Sequence, residues 1–355
     1  MDQKTGPWRI TFDTNPDDCN LSCIMCEDHS PYSSTLRDRI LAKLPRRRMD
    51  IALIKQILRE NQSSVLREII PSTMGEPLLY KHFETMLELC AQYNLKLNLT
   101  TNGTFPKKGV AAWAKLIIPV TSDVKISWNG ATKTTQEKIM LGTNWEKVLR
   151  DLKIFIAMRN EFFATQGHYC SVTLQLTFLE TNLHELGDLM RLGMELGVDR
   201  IKGHHLWAHF AEIKDLSMRR DFSSIQRWNQ AVREAESIAA TPMANGKLIK
   251  LENIYQLSEQ ADKGLVPQGE CPFLGKEAWI AADGRFSPCC APDQERRKLG
   301  DFGSLANKNL AEIWYSQEYQ SLCKNYMQHE VCKGCNMRKL NTTTEALKLS
   351  MSEAI

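Results

Sequence analysis

The chain has 355 residues, 43% hydrophobic and 25% charged, with 45 Lys+Arg against 42 Asp+Glu for a formal charge of +3. Those figures are ordinary for a folded globular protein and too balanced for one that works on nucleic acid or a charged membrane surface. No stretch approaches the ~18 apolar residues of a membrane span and the polar start has no signal core; eleven cysteines without a secretion signal therefore read as reduced thiols of a cytoplasmic protein.

In chain order, β-rich runs predict strands over 8–14, 67–72, 96–101, 123–128, 172–179 and 200–207. Helical spacing fills the intervals at 50–60, 81–92, 107–116, 135–159 and 182–196, the last with Asn182 as N-cap and Glu185 completing a capping box. A sixth helix covers 222–240. Strands alternating with helices specify βαβ units, and right-handed crossovers arrange six of them as an open barrel or a doubly wound sheet. Periodicity leaves both open. In either, the chemistry collects in loops at the carboxyl ends of the strands, after Thr14, Ser72, Thr101, Trp128, Leu179 and Trp207.

The pattern breaks near Thr241, where Pro242, Asn245-Gly246, Gly264, Pro267 and Gly269 mark turns. This divides the chain into a first domain over 1–240, a connector over 241–270, a second domain over 271–340 and a polar tail over 341–355. The second domain holds a hairpin, 278–281 with 284–287 about Asp283-Gly284, and a helix over 310–325. The tail reads as a short helix or a disordered end. Arg46-Arg47-Arg48 forms the one basic run, read as a solvated face, with contact to an anionic or acidic substrate as the alternative.

Cys19, Cys23 and Cys26 follow the first strand within eight residues. Three thiolates can hold a 4Fe-4S cube and leave its fourth iron open; zinc is the rival, with His29 as its nearest fourth ligand. A second set, Cys271, Cys289, Cys332 and Cys335, has the four thiols that close a cluster, or a zinc site, completely. Cys90 and Cys170 sit in apolar patterns and read as core, whereas Cys290 and Cys323 are spare thiols able to replace a ligand or to donate a hydrogen atom. His204, His205 and His209 end the sixth strand; alternation sets His205 and His209 on one face, where they line the active site. Asp13 and Glu180, at other strand ends, are further polar lining.

The CxxxCxxC spacing of Cys19, Cys23 and Cys26 resembles the radical S-adenosylmethionine superfamily. Met74-Gly75-Glu76-Pro77 is similar to that family's Gly-Gly-Glu motif, and Thr101-Asn102-Gly103-Thr104 to its Thr-Asn-Gly. The resemblance implies a partial (β/α)6 barrel and two kinds of cosubstrate contact. Gly75, Glu76 and Pro77 would hold the methionyl amino group, with Thr101 and Asn102 nearby. Ser127, Asn129 and His205 would offer further polar contacts. Met74 replaces the first glycine of the motif, and Met25 stands beside the third cysteine where the family usually has an aromatic. The second cysteine set, with Gly284 before Cys289, resembles the Twitch/SPASM domain and implies an auxiliary 4Fe-4S cluster.

The implied chemistry is reductive cleavage of S-adenosylmethionine to a 5'-deoxyadenosyl radical that takes hydrogen from an unactivated C–H bond, with a flavodoxin or ferredoxin as electron donor. The substrate is a ribosomally made peptide, with epimerisation quenched by Cys290 or Cys323 as the first expectation. A small molecule of a biosynthetic pathway, dehydrogenated or epimerised, is the alternative; a non-catalytic iron-sulfur protein is the remote one. Because Cys19 lies so near the start, no leader-binding domain is expected before it.

Overall fold

In the computed structural model, which describes residues 6–62, 64–259 and 266–339, one sheet of nine strands organises the chain. The strands are β1 (Arg9–Phe12), β2 (Glu68–Ile70), β3 (Lys96–Thr101), β4 (Thr121–Ser127), β5 (Ser171–Phe178), β6 (Arg200–His205), β7 (Lys250–Glu252), β8 (Glu277–Ile280) and β9 (Phe286–Ser287). Their order is β7-β6-β5-β4-β3-β2-β1-β8-β9. All neighbours are parallel except β8 and β9, which form an antiparallel hairpin. The run from β1 to β7 never reverses, whereas a doubly wound sheet needs a switch point. Together with a cavity lined from β1, β2, β3, β4, β5, β6 and β8, this decides for the open barrel.

The helices are α1 (Thr35–Leu41), α2 (Ile51–Glu60), α3 (Phe83–Gln92), α4 (Val110–Ile117), α5 (Lys133–Ile139), α6 (Trp145–Gln166), α7 (Leu186–Leu196) and α8 (Phe222–Ala239), then α9 (Asp293–Arg297), α10 (Leu310–Trp314), α11 (Gln317–Asn325) and α12 (Glu330–Lys333). All six predicted strands are present. The predicted helix 135–159 is two helices, parted around Gly142 at φ +94°, where the chain passes over Leu21 of the cysteine loop. The predicted helix 310–325 is likewise broken, because Ser316 caps a new start by accepting from the Tyr319 amide.

Two further expectations are corrected. Asn182 and Glu185 make no capping box: Asn182 ties the β5 end to Asn129, and Glu185 accepts from Ala131, Thr132 and Thr135 of the loop after β4. The C-terminal hairpin is present but does not stand apart, since β8 pairs with β1 in parallel and extends the barrel sheet. The expected tail 341–355 and Gly264 of the connector lie outside the described residues.

Strand alternation sorts the side chains. Ile10, Phe12, Ile69, Leu97, Leu99, Val124, Ile126, Val172, Leu174 and Ile201 are buried in the apolar core. The opposite face, turned to the barrel lumen, is polar: Arg9, Thr11, Asp13, Lys125, Ser127, Gln175, Thr177, Lys202 and His204 all line the cavity. Near the amino ends of the strands, four cations and four carboxylates neutralise one another. Arg9 pairs with Glu68 (2.6 Å) and Glu277 (3.2 Å), Arg200 with Asp123 (2.5 Å) and Glu252 (2.7 Å), Lys202 with Glu252 (2.5 Å), and Lys125 with Asp123 (3.6 Å). Burial still pushes the Lys125 ammonium down to about 8.

Outside the sheet, Arg159 of α6 is 2% exposed and fastens that helix to the strand edge. It donates to Asp199 (2.6 Å), to the Cys170 carbonyl (3.0 Å) and to the Gly197 carbonyl (3.2 Å). Removing one partner of a buried pair strands the other charge, at a cost of about 3–5 kcal/mol. Arg159→Ala is therefore expected to lower the thermal midpoint by several degrees; an unchanged midpoint would show that the pair braces nothing.

Candidate active site

The site is assembled from consecutive loops at the carboxyl end of the sheet. After β1, Cys19, Cys23 and Cys26 edge a cavity of about 620 Å³. The Leu21 amide donates to Cys19 Sγ (3.5 Å) and the His29 amide to Cys26 Sγ (3.4 Å). Burial pushes all three thiols up, Cys26 to about 11, and the thiols of Cys19 and Cys26 add to the shift at Cys23. Such a group ionises where a cation offsets the burial, which is what iron supplies. His29, the candidate fourth zinc ligand, has Nε2 on the Pro16 carbonyl at 2.7 Å. The donor set that remains is three soft thiols and no imidazole, which fits iron-sulfur chemistry. Among the described residues no three His, Cys, Asp or Glu side chains close on a single-ion site.

After β2, Gly75 packs so tightly against the cysteine loop that a Cβ would lie 2.3 Å from the Asn15 carbonyl oxygen and 2.8 Å from that of Asp18. Its φ of +77° independently favours glycine. The next amide, Glu76 N, donates to the Asp18 carbonyl at 2.7 Å, and Asp13 accepts from Thr73 N (3.4 Å) and Met74 N (3.3 Å). The Glu76 carboxylate, 1% exposed, accepts from Thr101 Oγ1 (2.7 Å) and the Asn102 amide (2.8 Å) after β3, and from Leu78 N (3.2 Å). Burial nevertheless raises its carboxyl to about 7. Asn102 Nδ2 bonds Asn20 Oδ1 at 2.9 Å and lies 3.9 Å from Cys19 Sγ, so the first three loops form one bonded unit.

Other expected residues divide. Met25, Ser127, Asn129 and Asp13 line the cavity, though Asn129 is committed to Thr177 N (2.9 Å) through its side chain. Pro77 is buried at the start of a short 3₁₀ turn, outside the lining. His205 packs edge-on between Phe178 (5.2 Å) and Trp228 (4.8 Å) on the helix side of the sheet, and its strand neighbour His204 takes the lumen side, 3.2 Å from Thr177 Oγ1. His204, His205 and His209 all border the cavity, but alternation along β6 gives the lumen face to Lys202 and His204, while the His205 ring is held by Phe178 and Trp228. Glu180 is bound outside the cavity by Arg220 and Arg227, each at 2.9 Å. Cys90 and Cys170 are fully buried, as expected.

Cys271, Cys289, Cys332 and Cys335 border the same cavity. Burial and their mutual proximity push up the thiols of Cys289, to about 12, and Cys332, to about 11. The two spare thiols separate: Cys290 is on the cavity wall, whereas Cys323 lies outside the lining, on α11 beside Tyr319 and Gly275.

The basic run turns inward. Arg47 pairs with Asp17 (2.6 Å) and Asp28 (3.0 Å), Arg46 with Asp18 (2.7 Å), and Arg48 with Asp18 (2.6 Å), so the run clasps both flanks of the cysteine loop. Glu27 on the cavity wall is a further residue missed; burial and Asp28 raise its carboxyl to about 7, against Arg296 nearby. The acids beside Cys19 and Cys26 were the available signal.

A family model described as the radical SAM superfamily matches residues 16–193, half of the chain. The chain belongs to the radical SAM superfamily. A second model, the SPASM iron-sulfur cluster-binding domain, matches residues 271–336. This radical SAM enzyme thus uses a 4Fe-4S cluster and S-adenosylmethionine, with further iron-sulfur in its SPASM region. A curated relative, the tungsten-containing aldehyde ferredoxin oxidoreductase cofactor-modifying protein of Pyrococcus furiosus, is 25% identical over 341 residues, covering 90% of this chain and 85% of the relative. Among solved structures, Streptococcus suis SuiB bound to S-adenosylmethionine superposes with a TM-score of 0.62 at 15% identity, covering 94% of this chain and 72% of SuiB. Native anSMEcpe with bound AdoMet gives 0.60 at 15% identity, covering 93% and 86%. These structural likenesses establish the fold of this radical SAM chain. No helix among the described residues is long and apolar enough to cross a membrane.

The raised carboxyl of Glu76 makes the stability of the metal-free chain fall with pH. The folded chain keeps a proton that the unfolded chain releases near pH 4.5, so this contribution is complete below about 4.5 and lost as pH rises through about 7. It amounts to about 3 kcal/mol. Glu76→Gln removes the dependence: between pH 5 and 8 the wild-type midpoint is expected to fall relative to the variant, and parallel curves would refute a buried, titrating Glu76.

Proposed function

We propose that Cys19, Cys23 and Cys26 hold the S-adenosylmethionine-cleaving cluster and that Cys271, Cys289, Cys332 and Cys335 hold an auxiliary one, in a barrel region over 1–240 and a cluster region over 271–340 joined by 241–270. Once reduced by one electron, the first cluster and S-adenosylmethionine supply a 5'-deoxyadenosyl radical able to take hydrogen from an unactivated C–H bond. Glu76, held by Thr101 and Asn102, would accept from the cosubstrate's ammonium. Gly75 offers backbone at close range, and Ser127 and Gln175 of the lumen wall bond its remaining polar groups. Leu21, Met25 and Leu206 make an apolar rim that keeps water from the reacting atoms.

The substrate reading is hydrogen abstraction from a peptide Cα followed by quenching from the opposite face, an epimerisation. The observation that carries it is Cys290, a thiol on the wall of the very cavity that Cys19, Cys23 and Cys26 edge. Its S–H donates a hydrogen atom to the carbon radical, and an external one-electron carrier with one proton restores the thiol. Cys323, outside the lining, is not used. SuiB is described bound to its precursor peptide and anSMEcpe with a peptide, which supports a peptide here. The cofactor-modifying relative favours the second reading, a small molecule dehydrogenated or epimerised in the same cavity.

Anaerobic reconstitution with iron and sulfide, then dithionite and S-adenosylmethionine, is expected to yield 5'-deoxyadenosine and methionine, and Cys19→Ala to abolish both. With substrate in D₂O, product carries deuterium at the epimerised carbon. Cys290→Ala loses epimer while still forming 5'-deoxyadenosine, and Cys323→Ala keeps both. Undiminished epimer from Cys290→Ala would overturn the donor assignment, and product without deuterium would establish two-electron oxidation instead.

A further inference from the structure

The segment after the cysteine loop is built unlike the rest of the surface. Helix α1 buries none of its residues. Ile40 and Leu41 are 69% and 74% exposed, the highest of the large apolar side chains among the described residues, and Leu44 just after them is exposed as well. Three apolar groups within five residues, all in water, are a cost that a folded chain keeps where something covers them.

Charge says what covers them. Within residues 32–48, Arg37, Lys43, Arg46 and Arg48 are all exposed, against one exposed acid, Asp38, which lies 4.0 Å from Arg37. The carboxylates that Arg46, Arg47 and Arg48 bind face inward, with side-chain exposures of 3% for Asp17, 10% for Asp18 and 9% for Asp28. The anions are therefore hidden and the cations presented. The same arginines grip the residues that flank Cys19 and Cys26, so anything seated here stands one layer of side chains from the cysteine loop.

We propose that residues 32–48 form the docking surface for an acidic one-electron carrier protein. The inference rests on the radical reading above, because that chemistry consumes an electron delivered from outside. An apolar centre with a charged rim suits a small, transient interface, in which charge steers the encounter and salt weakens it. An acidic peptide substrate is the competing occupant; of residues 32–48 only Arg47 reaches the lining of the cavity, and the exposed apolar residues Ile40, Leu41 and Leu44 lie outside it, which favours the carrier.

The test uses the reconstituted full chain and two double variants, Arg37→Glu with Lys43→Glu and Ile40→Ser with Leu41→Ser, none of which is in the cavity wall or the clasp. Binding of an acidic flavodoxin or ferredoxin is measured by interferometry at low and high salt. Formation of 5'-deoxyadenosine is followed with that carrier and, separately, with dithionite. Both variants are expected to lose about tenfold in carrier binding and carrier-driven rate at low salt, with the dithionite rate unchanged. Carrier binding within about twofold of wild type would overturn the proposal. So would an equal loss of both rates, which would assign the segment to bracing the cysteine loop. Weaker binding of an acidic substrate peptide, or loss of a dimer in gel filtration, with carrier binding intact would give the surface to another occupant and overturn it too. Absence of 5'-deoxyadenosine from wild type with dithionite defeats the radical reading, while the binding measurement still decides the docking surface.

Discussion

Everything at the barrel mouth depends on how closely the loop after β2 approaches the loop after β1. At Gly75 the backbone lies against the carbonyls of Asn15 and Asp18 with no room for a Cβ, and the Glu76 amide bonds Asp18 at 2.7 Å. That contact fixes Cys19, the residue after Asp18, relative to the Glu76 carboxylate. Glu76 in turn receives the β3 loop through Thr101 and Asn102. A larger residue at position 75 would not merely crowd the loop; it would part the cysteine loop from the Glu76 carboxylate.

The barrel makes such a contact possible because its lumen is polar. An apolar lumen would have closed by packing, leaving no cavity, whereas a lumen of Arg9, Lys125, Asp123, Lys202, Glu252 and Glu277 is held open by mutually neutralised charges. The apolar material lies outside, between sheet and helices. Strand β8 then brings the second cysteine set to the same opening by pairing with β1, so both thiol groups face one space.

Much of this was legible in the sequence, and the failures have definite causes. The six strands and the three successive motifs follow from alternation and spacing, which are local properties. His205 borders the cavity, but its ring is not the polar contact expected, because the parity of a strand is set by its register and Phe178 and Trp228 claim the ring. The capping box at Asn182 and Glu185 matched a pattern whose residues the β4 loop recruits instead. Eight of the sheet's nine strands could be counted along the chain as barrel or hairpin, all but β7, but the β1–β8 pairing joins residues more than 260 apart and leaves no local trace. Cys290 and Cys323 could not be separated without knowing which wall each occupies.

The arginine run shows why charge patterning alone misleads. Read by itself it is a solvated face, and the acids at 17, 18 and 28 stand some twenty to thirty residues away in the chain. Joined, they solve a problem particular to this site. A loop that brings three thiols to the edge of one cavity has to be stiff to hold them there, yet it has no regular secondary structure between Asp13 and Ser34. Charge-assisted bonds from Arg46, Arg47 and Arg48 to inward carboxylates supply that stiffness without adding apolar bulk. The acids need the arginines, since alone they would be buried anions beside further anions, and the thiols' own elevation shows how much burial costs there. Because Arg46 and Arg48 stay 59% and 50% exposed while they hold Asp18, a device that stiffens the cysteine loop also presents positive charge to water.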